Sequence, residues 1–300
     1  MFNFTMGDNG TANYQNYPTY ALVFGSVMVL GLPLNAVSLW ILVRRHNLKS
    51  PSAVFMINLA ISDLLLVISL PTRVYFYATN SWPLGSMTCI WITMLFCNNI
   101  RSSSIFITFI SMDRLLAVVY PLRSRHLRTT SNASKAAALI WFCVLVWNIP
   151  ESVMFSRFLN KPNVTTCFEF SERPSFEIVS FFQPVLVFTM LAVNIVSTAL
   201  VSWTLTRHLN DSARVSNKVN VMLIFAMNLL MFTIFFLPVS LVDVLESSGQ
   251  VITSLKCLAS VNCCLDPLLY YFSFDGFWKK KEDIDTSDNI KPVTQNLNLT

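Results

Sequence analysis

The sequence predicts an all-α membrane protein, a seven-transmembrane helix bundle with a short amphipathic eighth helix. Seven apolar runs, beginning near Tyr20, Ser52, Met87, Ser134, Glu177, Asn217 and Val251, fill the chain almost end to end. Each supplies the ~20 apolar residues that a helix needs to cross a hydrocarbon core of ~30 Å. Composition agrees: 54% of the 300 residues are hydrophobic and only 12% are charged, a balance outside the soluble globular range. A buried core helix can be apolar all round, but seven in series leave almost no amphipathic surface helix to face water.

Residues 1–19 form a polar tail without a basic stretch followed by a short apolar core, so no cleaved signal peptide is expected and the first helix serves as its own insertion signal. The seven-helix domain occupies 20–273. Arg44, Arg45 and Lys49 follow run one; Arg114, Arg123, Arg125, Arg128 and Lys135 lie between runs three and four; Arg207, Arg214 and Lys218 separate five from six; Lys279, Lys280 and Lys281 follow seven. The alternate loops carry only Arg157, Lys161 and Arg173. That bias places the N-terminus outside and the C-terminus in the cytoplasm of a multi-pass plasma-membrane protein. The net charge of +5 is then a topology signal and not a nucleic-acid footprint. Sequons at Asn3, Asn9 and Asn163 fall outside and are expected to be glycosylated, whereas those at Asn132, Asn210 and Asn298 fall inside. Residues 274–300 comprise the eighth helix and a tail. Asp275-Gly-Phe-Trp-Lys-Lys-Lys-Glu joins aromatics to a basic cluster, as a helix lying on the inner leaflet does, and the tail from Asp283 is polar.

Among seven cysteines, this topology puts Cys89 and Cys167 in oxidising space and predicts that they are bonded. Cys97, Cys143, Cys263 and Cys264 lie in apolar runs as packing thiols, and Cys257 lies near the outer end of helix seven with no N-terminal cysteine to meet. No cysteine or histidine cluster suggests a metal, and His46, His126 and His208 are all loop residues. There is no internal repeat, no intramembrane Ser/His pair and no zinc-ligand set, which weighs against a transporter or channel and against an intramembrane enzyme.

An ordered set of motifs runs through every helix: Gly31-Leu-Pro-Leu-Asn35; Asn58-Leu-Ala-Ile-Ser-Asp63; Cys89 to Asp113-Arg114-Leu115, then Tyr120-Pro121-Leu122; Trp141 and Pro150; Pro184; Phe232-x-x-x-Phe236-Leu-Pro238; and Asp266-Pro267-Leu-Leu-Tyr270. Over roughly residues 20 to 282 the chain resembles the rhodopsin-like, class A G-protein-coupled receptors. The resemblance implies a receptor, not an enzyme, that binds an extracellular ligand and activates a heterotrimeric G-protein through Asp113 and Arg114 when helix six moves outward. Phe232, Phe236, Pro238, Pro267 and Tyr270 would take part in that switch. Leu115 stands where an aromatic is commoner, Phe236 where Trp is usual, Ala192 where Tyr is frequent and Asp266 where Asn is usual.

Asp63 lies mid-membrane, where an unpartnered charge costs about 2.5–3.5 kcal/mol or more. Asn35, Asn99, Ser103 and Asp266 are the polar residues available to it if the bundle packs as the resemblance implies. Such oxygens suit a sodium ion, or the two carboxylates share a proton; the plain alternative is a polar cluster that glues helices. No other cofactor is expected. Asp113, next to Arg114, is expected to restrain the base of that long side chain.

Within the family, Leu70-Pro-Thr-Arg73, Ser81-Trp-Pro-Leu-Gly85 and Asp266-Pro-Leu-Leu-Tyr-Tyr-Phe resemble the purinergic-like branch and its lysophosphatidic acid receptors, the fifth subtype especially. An amine receptor would carry an acid where Phe96 stands, and an opsin a lysine where Ser260 stands. Arg73 and Lys256 are each ten residues, ~15 Å, outward from Asp63 and Asp266, and two cations at one depth suit a phosphate or carboxylate head. That points to an anionic lipid, with a nucleotide or small carboxylate as the alternative. Arg101 faces away from Asp63 and serves either as a ligand contact or as a partner of Glu151 or Glu177. Tyr75, Phe76, Phe181 and Phe182 are candidates for an acyl-chain slot.

Overall fold

The computed structural model describes residues 17–46, 50–160, 167–168, 177–208, 215–241 and 249–270. Five unbroken helices come first: α1 Tyr17–His46, α2 Pro51–Thr79, α3 Gly85–Val119, α4 Thr130–Leu159 and α5 Glu177–His208. α6 runs over Val215–Met231, widens into one π turn at Phe232–Phe236 and ends with Leu237–Leu241. α7 covers Gly249–Ser260, tightens at Val261 and resumes to Tyr270. All seven are long and apolar enough to cross a membrane, as the apolar runs predict. The eighth helix, the tails and the three outer sequons lie outside the described residues.

Local chemistry starts and stops these helices. Ser50 caps α2, its hydroxyl accepting from the Ala53 N–H at 3.2 Å, and Pro51 takes the first helical position, where its missing N–H costs nothing. Thr129 caps α4 in the same way through the Asn132 N–H at 3.2 Å. Asn80 ends α2 in the left-handed region, φ 51°. Gly85 opens α3 at φ +74°, a conformation that favours glycine.

α2 and α3 sit at the centre, whereas α1, α4 and α5 turn much of their surface outward. Leu30, Trp40, Phe142, Phe188 and Trp203 are exposed there. Such a surface would be a liability in water and is the solvated face in hydrocarbon. Phe24, Phe76, Phe96, Phe106, Phe225, Phe232 and Phe236 are fully buried and supply the bulk of the core.

Two prolines shape the moving parts. Pro267 has no N–H to give the carbonyl of Cys263 four residues back. The Asn35 amide on α1 donates to that oxygen at 2.7 Å, and also to Gly31 O at 3.1 Å. The approach needs Gly31, because a Cβ there would meet Cys263 Sγ at 3.0 Å. Above it α7 tightens: Val261 N–H bonds Leu258 O at 3.1 Å and Cys264 N–H bonds Val261 O at 3.0 Å. In α6 the turn before Pro238 widens instead, with the Leu237 N–H reaching back five residues to Phe232 O. Phe232 and Phe236 pack edge to face within that turn, 5.4 Å apart.

The predicted disulfide joins Cys89, near the start of α3, to Cys167 in the loop after α4. It marks one end of the bundle; Arg114 marks the other.

Candidate functional site

At the disulfide end the central feature is Arg73, on the last turns of α2 and only 3% exposed. Its Cζ lies 4.3 Å from the Phe96 ring of α3, 4.3 Å from the Phe168 ring of the loop and 5.8 Å from the Phe24 ring of α1. Ring faces carry negative electrostatic potential and offset part of the cost of burying the cation. Among the described residues Arg73 has no hydrogen bond or ion pair, and its Nε is sealed without an acceptor. Tyr77, one turn on, stacks on Phe24 at 5.8 Å and on Phe168 at 6.4 Å. Lys256 of α7 is half-buried at this end and has no ion pair among the described residues. The acids Asp243 and Glu246, near the end of α6 in sequence, lie outside them.

The acyl-slot candidates differ in burial. Phe76 is fully buried, edge to face with Tyr77 and Phe168, whereas Tyr75 and Phe182 are exposed. Alternation around a helix sends neighbours such as Tyr75 and Phe76 to different faces. The side chain of Phe181 is outside the described set.

Arg101 is fully engaged elsewhere. It pairs with Glu151 of α4, donates through Nε to Gln183 Oε1 at 3.0 Å and through Nη1 to Asn148 Oδ1 at 3.1 Å. Trp147 adds an N–H to Glu151 at 3.1 Å and a ring 5.4 Å from the guanidinium. Of the two roles open to Arg101 in the sequence, this is the pairing, with Glu151; the side chain of Glu177 is outside the described set.

Mid-bundle, Asp63 of α2 is fully buried. Asn99 donates to its Oδ1 at 2.9 Å, and the Ser103 hydroxyl lies 3.5 Å from the same oxygen. Asn99 also reaches Ser103 Oγ at 3.1 Å and Ser62 Oγ at 3.2 Å. Asp266 lies across the bundle from Asp63, close enough for the two carboxylates to influence one another. Asn35 gives its amide to the carbonyl that Pro267 strands, and among the described residues it makes no hydrogen bond to Asp63 or Asp266. Among the described residues, Asp63 Oδ2, both oxygens of Asp266, both side-chain polar atoms of Asn262, the Tyr270 hydroxyl and Asn35 Oδ1 are sealed without partners. Asn262, Asp266 and Tyr270 recur every fourth residue and so line one face of α7. The sequence reading missed Asn262; a fully buried Asn in an apolar run was the signal.

At the opposite end, the ion pair of Asp113 is with the loop and not with Arg114. Arg128, in the turn before α4, donates to Asp113 Oδ1 at 2.8 Å and Oδ2 at 3.3 Å, and the Ser52 hydroxyl also donates to Asp113. Adjacent side chains on a helix diverge by ~100°, so Asp113 meets the loop while Arg114 does not. Arg114 makes no ion pair or hydrogen bond among the described residues, and its Nε is sealed. A second missed cluster lies one turn deeper. Asn228 of α6 donates to Ser111 of α3, which donates to Asn194 of α5 at 2.6 Å, and Asn194 donates to Thr108 at 3.0 Å.

A sequence model described as 7 transmembrane receptor (rhodopsin family) matches residues 34–270. The chain belongs to the rhodopsin family of seven-transmembrane receptors. The receptor is 34% identical to lysophosphatidic acid receptor 6 of Gallus gallus over 86% of its own length and 91% of the relative's. It is 34% identical to human lysophosphatidic acid receptor 4, over 88% of its length and 76% of that protein's. With lysophosphatidic acid receptor 5 of Mus musculus the identity is 32%, over 92% and 80%. The sixth, fourth and fifth receptors are thus matched about equally. These relatives are receptors and not enzymes, and the family makes this chain a multi-pass, G-protein-coupled receptor of the plasma membrane.

The Arg101–Glu151 geometry yields an expected outcome for stability. Removing one partner of a buried pair strands the other at a cost of about 3–5 kcal/mol, whereas apolar replacement of both is far milder. Glu151→Ala should lower the thermal unfolding midpoint of the detergent-purified receptor clearly more than the double change Arg101→Met with Glu151→Leu. Equal losses would show that the pair is not the element being disrupted.

Proposed function

We propose that this receptor is activated by an anionic lipid of the lysophospholipid class, with its N-terminus and disulfide end outside the cell and its Arg114 end against the G-protein. The single observation that carries the ligand class is Arg73: a buried guanidinium without a counter-ion among the described residues, on a bundle whose relatives are named as lysophosphatidic acid receptors. Buried charges in proteins are normally paired, so an anion brought by the ligand completes the site. Lys256 adds a second cation at that end. Orientation rests on the excess of basic residues in alternate loops and on a disulfide that needs an oxidising compartment.

Signal transfer is read along the same axis. The phosphate docks at Arg73, the polar cluster around Asp63 and Asp266 lies below it, and the irregular turns of α6 and α7 supply the places where helices pivot. Outward movement of α6 breaks the Asn228–Ser111 contact and gives the G-protein access to Arg114. Asp63, Asp266, Asn262, Asn35 and Ser103 present a set of buried oxygens with few donors, which fits a hard monovalent cation such as sodium and equally a proton shared by the two carboxylates.

Three outcomes test this reading. Loss of a charge-assisted contact costs about 1.5–3 kcal/mol, about ten- to hundred-fold, so Arg73→Ala should weaken 1-oleoyl lysophosphatidic acid by that factor at matched surface density. Arg73→Lys should recover only part, because the planar fork is lost; unchanged potency in Arg73→Ala would end the assignment. In a nucleotide-exchange assay Arg114→Ala should lose ligand-stimulated activity while radioligand affinity stays near the parent's, since the residue lies at the far end of the bundle. Asp63→Asn should flatten the dependence of agonist affinity on sodium or pH that the parent shows. A parent that is itself insensitive to both would leave the cluster as helix glue.

A further inference from the structure

Arg73 poses an electrostatic problem that the bundle solves without an acid. A carboxylate partner would stabilise the guanidinium and would also occupy its fork of N–H donors. Aromatic faces stabilise the same cation through their quadrupoles and accept nothing in the guanidinium plane. The three rings around Cζ come from three different parts of the chain: Phe24 from α1, Phe96 from α3 and Phe168 from the loop. Arg73 is therefore held and oriented while its donors stay uncommitted among the described residues.

Phe168 differs from the other two because no helix carries it. It directly follows Cys167, whose bond to Cys89 fixes the backbone at that point. Its ring is wedged between α2 and the α2–α3 turn: edge to face with Phe76 and with Trp82, each at 5.3 Å, and stacked on Tyr77 at 6.4 Å. Trp82 is itself pinned by its indole N–H to Gly85 O at 2.9 Å, in the turn where Gly85 adopts positive φ. The Ser81-Trp-Pro-Leu-Gly85 segment thus supports the ring that in turn covers Arg73. Cys97 of α3 and Cys257 of α7 also lie within electrostatic range of the guanidinium, and no acidic side chain pairs with it among the described residues.

We infer that Phe168 is a positioning residue of the anion site, clamping the Arg73 guanidinium against Phe96 so that its N–H fork is presented to a ligand phosphate, and that the loop disulfide acts on head-group recognition through this adjacent ring. The inference rests on the assignment of Arg73 as the anion contact and adds what orients it. It makes the loop a part of the recognition chemistry and not merely a cover. It also makes planarity matter: a ring at position 168 restrains a guanidinium, and an aliphatic side chain of similar volume fills the space without doing so.

The test is a double-mutant cycle in the intact receptor, with 1-oleoyl lysophosphatidic acid as agonist, a nucleotide-exchange readout and surface density matched by biotinylation. Phe168→Leu should lower potency by about three- to thirty-fold, the range expected for a desolvated cation–aromatic contact. Phe168→Tyr should restore it, because the ring face is retained. In the Arg73→Ala background Phe168→Leu should have little further effect, since the group it orients is gone. Potency unchanged in Phe168→Leu, or a loss fully additive with that of Arg73→Ala, would overturn the positioning role while leaving Arg73 as the anion contact. An Arg73→Ala variant with parental potency would overturn both the contact and the clamp.

Discussion

A single hydrogen bond, from the Asn35 amide to the carbonyl of Cys263 at 2.7 Å, expresses the constraint on which the rest of this bundle depends. In hydrocarbon no water is at hand to satisfy a backbone group, so a helix interrupted by proline must be repaired by a neighbour. α7 needs its interruption, because the turn at Val261 and Pro267 brackets the residues that face Asp63. The repair comes from α1, and it requires Gly31 to let α1 approach. α6 solves the same problem differently, widening a turn ahead of Pro238 so that the backbone closes on itself over five residues.

The polar side chains divide by how completely they are satisfied. Around Arg101 every charge is matched: one carboxylate, two amide oxygens and an indole ring converge on it. Such a cluster fixes the mutual position of α3, α4 and α5, and its desolvation is offset locally. Arg73, Arg114 and the Asp63–Asp266 pair are different, because each keeps atoms that nothing in the described chain reaches. They occur at three levels, one near each end and one between. A buried polar atom without a partner is disfavoured in any low-dielectric medium, and the three levels are where a ligand, an ion or proton, and a cytoplasmic partner would supply the missing contacts.

Much of this was legible in the amino acids. Seven spans followed from length and hydropathy alone, and the helices begin no more than four residues ahead of the apolar runs. The disulfide followed from topology, and Asp63, Asn99 and Ser103 were grouped because the family resemblance implies how α2 and α3 pack. What the chain did not disclose depends on rotation and on pairs between helices. Asp113 meets Arg128 across a turn, although Arg114 is its neighbour in sequence. Asn35 was assigned to the carboxylates, but the stranded carbonyl of α7 competes for its amide and wins. Phe168 carries no signal of its own in the sequence, since its contacts depend on where the disulfide holds it. Tyr75 and Phe182 are exposed whereas Phe76 is buried, and composition does not distinguish the three rings.

The contacts between Asn228, Ser111 and Asn194 have a consequence for how α6 can travel. Ser111 is bonded on one side to α5 and on the other to α6, and Asn194 binds α3 a second time through Thr108. α3 and α5 are thus tied twice at this level and α6 once. Hydrogen bonds act over a few tenths of an ångström, so α6 cannot glide away by degrees while keeping that tie. It is held in a notch, and leaving the notch is a discrete step that costs about 0.6–2 kcal/mol in a bundle of this kind, enough to sharpen the response to a ligand without freezing the receptor shut.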